Sequence, residues 1–161
     1  MTLQASGIIW ASQIGGEFSP GVTPWYISNH YRGGPYVPNI SQNNSIPTSG
    51  LIYFSNFYGT TKASLSISPS PANAYNFQAE PAPSSKVLSV GVTASGAGVT
   101  SGSWAKISGA AGTTINSSTS LTPTFSATVN KNNEQVSVWR FTANNGLTAD
   151  VTVSLKYETD A

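Results

Sequence analysis

The stretch LTADVTVSLKYE, Leu147 to Glu158, decides the fold class. Ala149, Val151, Val153, Leu155 and Tyr157 alternate along it with Asp150, Thr152, Ser154, Lys156 and Glu158. A period of two, with one apolar and one polar face, marks a half-buried β-strand. Immediately before it, QVSVWRFTA (Gln135 to Ala143) reads as a second strand, joined to the first through Asn144-Asn145-Gly146. Asn-Gly between two such runs is the strongest short hairpin signal.

Working outward, KVLSVGVTAS puts Leu88, Val90, Val92 and Ala94 on one face, and TFSATV does the same for Phe125, Ala127 and Val129. SGSWAKISG (Ser101 to Gly109), TTINSS (Thr113 to Ser118) and SLSIS (Ser64 to Ser68) add shorter candidates. About seven strands, with turn signals every 8–12 residues, give the count and spacing of an immunoglobulin-like sandwich over residues 64–161. Trp104 falls where such a domain keeps a buried indole on its third strand, with Trp139 and Phe141 expected opposite. The Pro-rich stretch SPSPANAYNFQAEPAPSS (Ser68 to Ser85) is expected as an irregular first strand pair or an extended edge loop.

Residues 1–63 follow another grammar. SGIIWASQIGG, from Ser6, aligns without a gap on SGLIYFSNFYG, from Ser49, at a constant offset of 43. A middle copy, ISNHYRG (Ile27 to Gly33), repeats the phrase FSNFYG (Phe54 to Gly59). Each outer copy reads as a Ser-Gly turn, a short extended piece, and a serine placed to cap a single helical turn. Ser12, Ser28 and Ser55 are the expected caps, and Phe57 or Tyr58 the aromatic anchor folding back. Pro20, Pro24, Pro35, Pro38 and Pro47 forbid long regular elements between the copies. The fold class is therefore all-β: a small irregular repeat region, 1–63, followed by a sandwich.

The repeat region holds two of the four Trp, five of the seven Tyr and three of the six Phe, yet few charges. So many rings in so short a segment imply partial burial against a partner or sister subunit, the alternative being a small private core. The candidate docking residues are Trp10, Trp25, Tyr26, Tyr31, Tyr53, Phe54, Phe57 and Tyr58.

Charge sets further bounds. The formal net charge is +1, only 8% of residues are charged, and the seven basic residues are scattered singly. Nucleic acid and anionic membranes call for clustered Lys and Arg, so neither is an expected partner. There is no Cys, which removes disulfides, thiolate metal sites and Cys nucleophiles. The N-terminus lacks the pattern of a secretory leader, and no run approaches the ~20 apolar residues of a membrane span. The expectation is a soluble chain made in the cytoplasm.

His30 is the lone histidine, and no G-x-S-x-G elbow or nearby acid accompanies it. It aligns with Phe57 and reads as a packing residue with a polar edge. A lone His without Cys or clustered carboxylates builds no metal site. GVTASGAGVTSGS lacks the Lys of a phosphate loop and a following helix. The chain is therefore expected to be no enzyme, with no cofactor and no metal.

IPTSGLIYFSNFYG resembles a phrase of tailed-bacteriophage structural proteins, Ser-Gly-x-Ile-x-x-Ser-[Asp/Asn]-Phe-Tyr-Gly, with Asn56 where Asp is usual; ISNHYRGG resembles the intermediate element of the same proteins. The first copy departs from the phrase at Gln13, Ile14 and Gly15. SGSWAKISG, INSSTSLTPTFSATV and VWRFTANNGLTADVTVSLKY resemble the immunoglobulin- or PKD-like modules that such proteins carry. The resemblance implies a non-catalytic virion component, assembled in the host cytoplasm: a tail, baseplate, neck or fibre-associated protein, with head decoration as the alternative. It implies other virion proteins as partners and a homo-oligomer, trimeric or higher. A third reading, from the residues themselves, is a carbohydrate-binding module in which Trp25, Tyr26, Tyr31 and Tyr36 stack on a host-surface glycan.

Overall fold

A computed structural model describes residues 2–160. The chain divides into two compact units. One comprises the residues up to Ser64 together with Gly96–Gly98; the other comprises Leu65–Ser95 and the chain from Val99 onward.

Among its described residues the second unit is built from nine strands: β1 (Ser66–Ser68), β2 (Ala72–Gln78), β3 (Ser85–Gly91), β4 (Thr93–Ser95), β5 (Gly102–Gly109), β6 (Thr114–Ile115), β7 (Thr124–Asn130), β8 (Asn133–Ala143) and β9 (Thr148–Thr159). They form a four-stranded sheet in the order β2-β9-β8-β5, a three-stranded sheet β3-β7-β6, and a small β1-β4 pair. The sheets do not close into a barrel. The longest ladder is the β8–β9 hairpin, in register from Asn133 opposite Tyr157 to Thr142 opposite Thr148. Its turn is fixed by Gly146, whose positive φ of 82° suits a residue without Cβ and whose N–H donates to the Ala143 carbonyl at 3.0 Å.

The alternation of β9 is obeyed: Val151, Val153, Leu155 and Tyr157 are buried. They meet Leu88 of β3 and Phe125, Ala127 and Val129 of β7 in one sandwich-like core. Trp104 of β5 lies edge-on to Phe125, with centroids 5.5 Å apart, and 4.9 Å from Phe141. Its indole N–H is satisfied by the Ser120 carbonyl at 2.9 Å, so burying this large ring leaves no orphan donor. Trp139 completes the stack, 5.0 Å from Phe125.

The Pro-rich stretch differs from the extended loop or irregular pair expected of it. Ala72–Gln78 is a regular strand, parallel to β9 at the sheet edge. Its burial is inverted relative to ring content: Ala72 is fully buried, while Tyr75 and Phe77 are exposed. Small side chains face the core here, so hydrophobicity along the strand points the wrong way.

Among its described residues the first unit contains one helix, α1 (Ala11–Phe18), and three 3-10 turns, Ile27–Asn29, Ser41–Asn43 and Phe54–Phe57. It has a private core of Leu3, Ile9, Ile14, Phe18, Val37, Ile46 and Phe57, with Trp25, Ile27, Tyr36, Ile52 and Tyr58 packed against it. With so little regular ladder, side chains carry much of the backbone pairing. Buried Asn43 donates from Nδ2 to the carbonyls of Pro38 and Thr61, at 3.0 and 2.9 Å, and accepts the Thr61 N–H on Oδ1 at 3.0 Å. Glu17 accepts from the Lys62 N–H at 2.8 Å and the Thr61 hydroxyl at 3.1 Å. Burial pushes the Glu17 pKa up, but these hydrogen bonds help bring it below the ordinary carboxylate value.

Candidate docking surface built from three repeats

The three copies start alike, the first continuing as an α-helix where the other two stop as 3-10 turns. Each begins a helical turn one residue before its shared serine: at Ala11, at Ile27 and at Phe54. The residue just outside each turn is extended and aromatic, namely Trp10, Tyr26 and Tyr53. These rings are 63%, 56% and 58% exposed. Four residues further on, the equivalent positions Ile14, His30 and Phe57 are 0%, 1% and 0% exposed. One ring out and one anchor in is thus the rule of the unit.

The caps are not the serines expected to act as them. Ser12, Ser28 and Ser55 lie inside their turns. The capping groups of the outer copies are the next residues: Gln13 Oε1 accepts the Trp10 N–H and Asn56 Oδ1 accepts the Tyr53 N–H, both at 2.7 Å. These are the reciprocal half of a capping box, in which a side chain at the third helical position reaches back. All three copies place an amide there, Gln13, Asn29 and Asn56, and the two outer ones use it to close the turn.

The copies also clasp one another in a cycle. The Tyr58 hydroxyl of the last copy donates to the Gly7 carbonyl of the first. The Tyr31 hydroxyl, at the position equivalent to Tyr58, donates to the Gly50 carbonyl of the last copy. Gly7 and Gly50 are themselves equivalent, each with positive φ, 93° and 84°. The first copy has Gly15 where the others carry Tyr, and a Cβ there would stand 3.1 Å from Trp25 Nε1 of the middle copy. The missing side chain makes room for the neighbouring indole, so the departure at Gly15 has a packing cause.

The sequence-derived residues are sorted by this arrangement. Trp10, Tyr26, Tyr53 and Phe54 are exposed, joined at the equivalent outer positions by Ile8 and Leu51. Trp25, Tyr31 and Tyr58 are half-buried and committed within the unit. Phe57 is a core residue and offers nothing to a partner: its ring lies 6.1 Å from Phe18 and 6.5 Å from His30. Ile8 and Leu51 carry no ring, so aromatic content does not point to them, although the ungapped repeat aligns them.

His30 sits at the middle of an aromatic cluster. Its ring centroid is 4.8 Å from Trp25, 5.2 Å from Tyr36 and 6.5 Å from Phe57. Trp25 Nε1–H donates to His30 Nε2 at 3.1 Å, and the Ser19 hydroxyl lies 2.9 Å from the same nitrogen. His30 Nδ1 is 2.9 Å from the Tyr26 carbonyl, an acceptor, which assigns the ring proton to Nδ1. Burial lowers the His30 pKa, and the bond to the Tyr26 carbonyl opposes this only in part.

Among the described residues no three His, Asp or Glu side chains gather in a metal-binding group, and no helix is long and apolar enough to cross a membrane. No protein-family model matches the chain, and no curated protein or solved structure matches it either.

Proposed function

We propose that the chain is a non-enzymatic structural component of a tailed-phage particle, of the tail, baseplate, neck or fibre-associated kind. The first unit docks on other particle proteins through Trp10, Tyr26 and Tyr53, and the second is an immunoglobulin-like sandwich carried outward. One observation carries the docking part: a unit with its own core nevertheless spends three equivalent positions on exposed rings. Exposed rings repeated at one structural position support an interaction surface, aromatic side chains being enriched at interfaces. Aromatic anchors in a charge-poor setting suit a partner face that is itself poor in charge.

The strand order supports the sandwich. With β3, β5, β7, β8 and β9 set as strands B, C, E, F and G, the sheets carry the C-F-G and B-E neighbours of an immunoglobulin domain, and Trp104 falls on strand C. The resemblance of IPTSGLIYFSNFYG and ISNHYRGG to phage structural phrases supplies the particle. A fibre-type role brings with it a trimer or higher oligomer of this chain.

The test is to locate the chain in purified virions of the phage that encodes it, by imaging and by crosslinking to its neighbours. Crosslinks from the first unit to tail, baseplate, neck or fibre proteins are expected. Crosslinks to capsid subunits would move the chain to head decoration, and its absence from the particle would overturn the reading. Glycan binding by the isolated protein is the reading from a different class. Trp25 is held between Gly15 and His30, so the rings of the first unit left free to stack on a sugar are Trp10, Tyr26, Tyr53 and Phe54. A glycan screen with Tyr26→Ala as the control decides it.

A further inference from the structure

We propose that His30 is a proton-sensitive latch: its neutral form holds Trp25 in place, and its protonation releases that indole and loosens the first unit. Two neighbours aim at Nε2, and they are not equivalent. The Ser19 hydroxyl rotates and can accept from a new Nε2–H as readily as it donates now. The Trp25 indole nitrogen is a donor only. A proton on Nε2 therefore sets two donors against each other at 3.1 Å, on an imidazole that is itself only 1% exposed. The surrounding rings offer a cation some relief, but the indole N–H points at the very atom that gains the proton.

Among the described residues no charged group faces the ring. From the C-cap of α1 the facing group is Ser19, and from the segment before the middle turn they are Trp25 and the Tyr26 carbonyl. Tyr36 and Phe57 face the ring from the other two sides, and Tyr36 is the one titratable group among these neighbours. Glu17 of α1 is engaged with Thr61 and Lys62, and Arg32 with Asn44.

The sign follows from linkage. His30 binds its proton less readily folded than unfolded, where the value is near 6.5, so its contribution to stability is complete above that pH. It is lost as the pH falls through the lower folded value. His30 is the sole histidine, so the second unit lacks this response.

NMR titration of the full chain tests the latch without any substitution, because the single imidazole is unambiguous. Its resonances are expected to titrate with a midpoint below 6.5, and the Trp25 indole N–H resonance to move with the same midpoint. Trp25→Phe keeps a ring but removes the donor, so the His30 midpoint is expected to rise towards 6.5. An indole signal that stays still while His30 titrates overturns the proposal. So does an imidazole that remains neutral down to pH 4, or a midpoint that Trp25→Phe leaves unchanged.

Discussion

At the residue scale, the acceptor after the serine matters more than the serine. Asn56→Ala removes the group that accepts the Tyr53 N–H, and it is expected to cost about 1 kcal/mol. Ser55→Ala, inside the turn, should stay within ~0.5 kcal/mol. Denaturant unfolding of the two variants against the parent chain checks the contrast; equal losses would return the cap to the serine. In the second unit the deciding residue is Trp104, wedged between Phe125 and Phe141. Trp104→Ala is expected to cost about 3–5 kcal/mol, read from the same unfolding curves.

At the element scale, β2 is the instructive case. An edge strand that turns alanines inward and rings outward carries the alternation of a strand with the polarity of its faces reversed. Ala72→Leu is expected to overpack the core by about 1–3 kcal/mol, whereas Tyr75→Thr on the exposed face should change stability little. Thermal unfolding of both decides which face is buried. The same strand shows where sequence reading runs out. β7, β8 and β9 were legible because each is apolar on its core side, and the hairpin between the last two because Asn145-Gly146 announces it. β2 was hidden because its pairing is non-local: it joins β9, some 80 residues on in the register of Ala72 with Val153, and its prolines imitate a loop. The repeats gave away the turns and the inward position of His30, through its alignment with Phe57. They did not give the cap, since serine and amide lie side by side and only geometry says which one reaches the N–H.

At the scale of the whole molecule, two units solve the folding problem by different means. The second buries two facing sheets. The first gathers three small copies around shared anchors, stitched by side chains such as Asn43, Tyr31 and Tyr58. A unit so short has little apolar area to spare for its own stability. Leaving Trp10, Tyr26 and Tyr53 in water forgoes apolar burial that the unit could have used, and this asymmetry is the physical basis of the docking proposal.

The most direct measurement is the unfolding free energy of the full chain with Trp10→Ser, Tyr26→Ser and Tyr53→Ser combined, set beside its incorporation into particles. The expected result is stability within about 1–2 kcal/mol of the parent, since surface substitutions cost little, together with loss of incorporation. A collapse of the first unit in the purified variant, or unchanged incorporation by a well-folded one, would contradict the account.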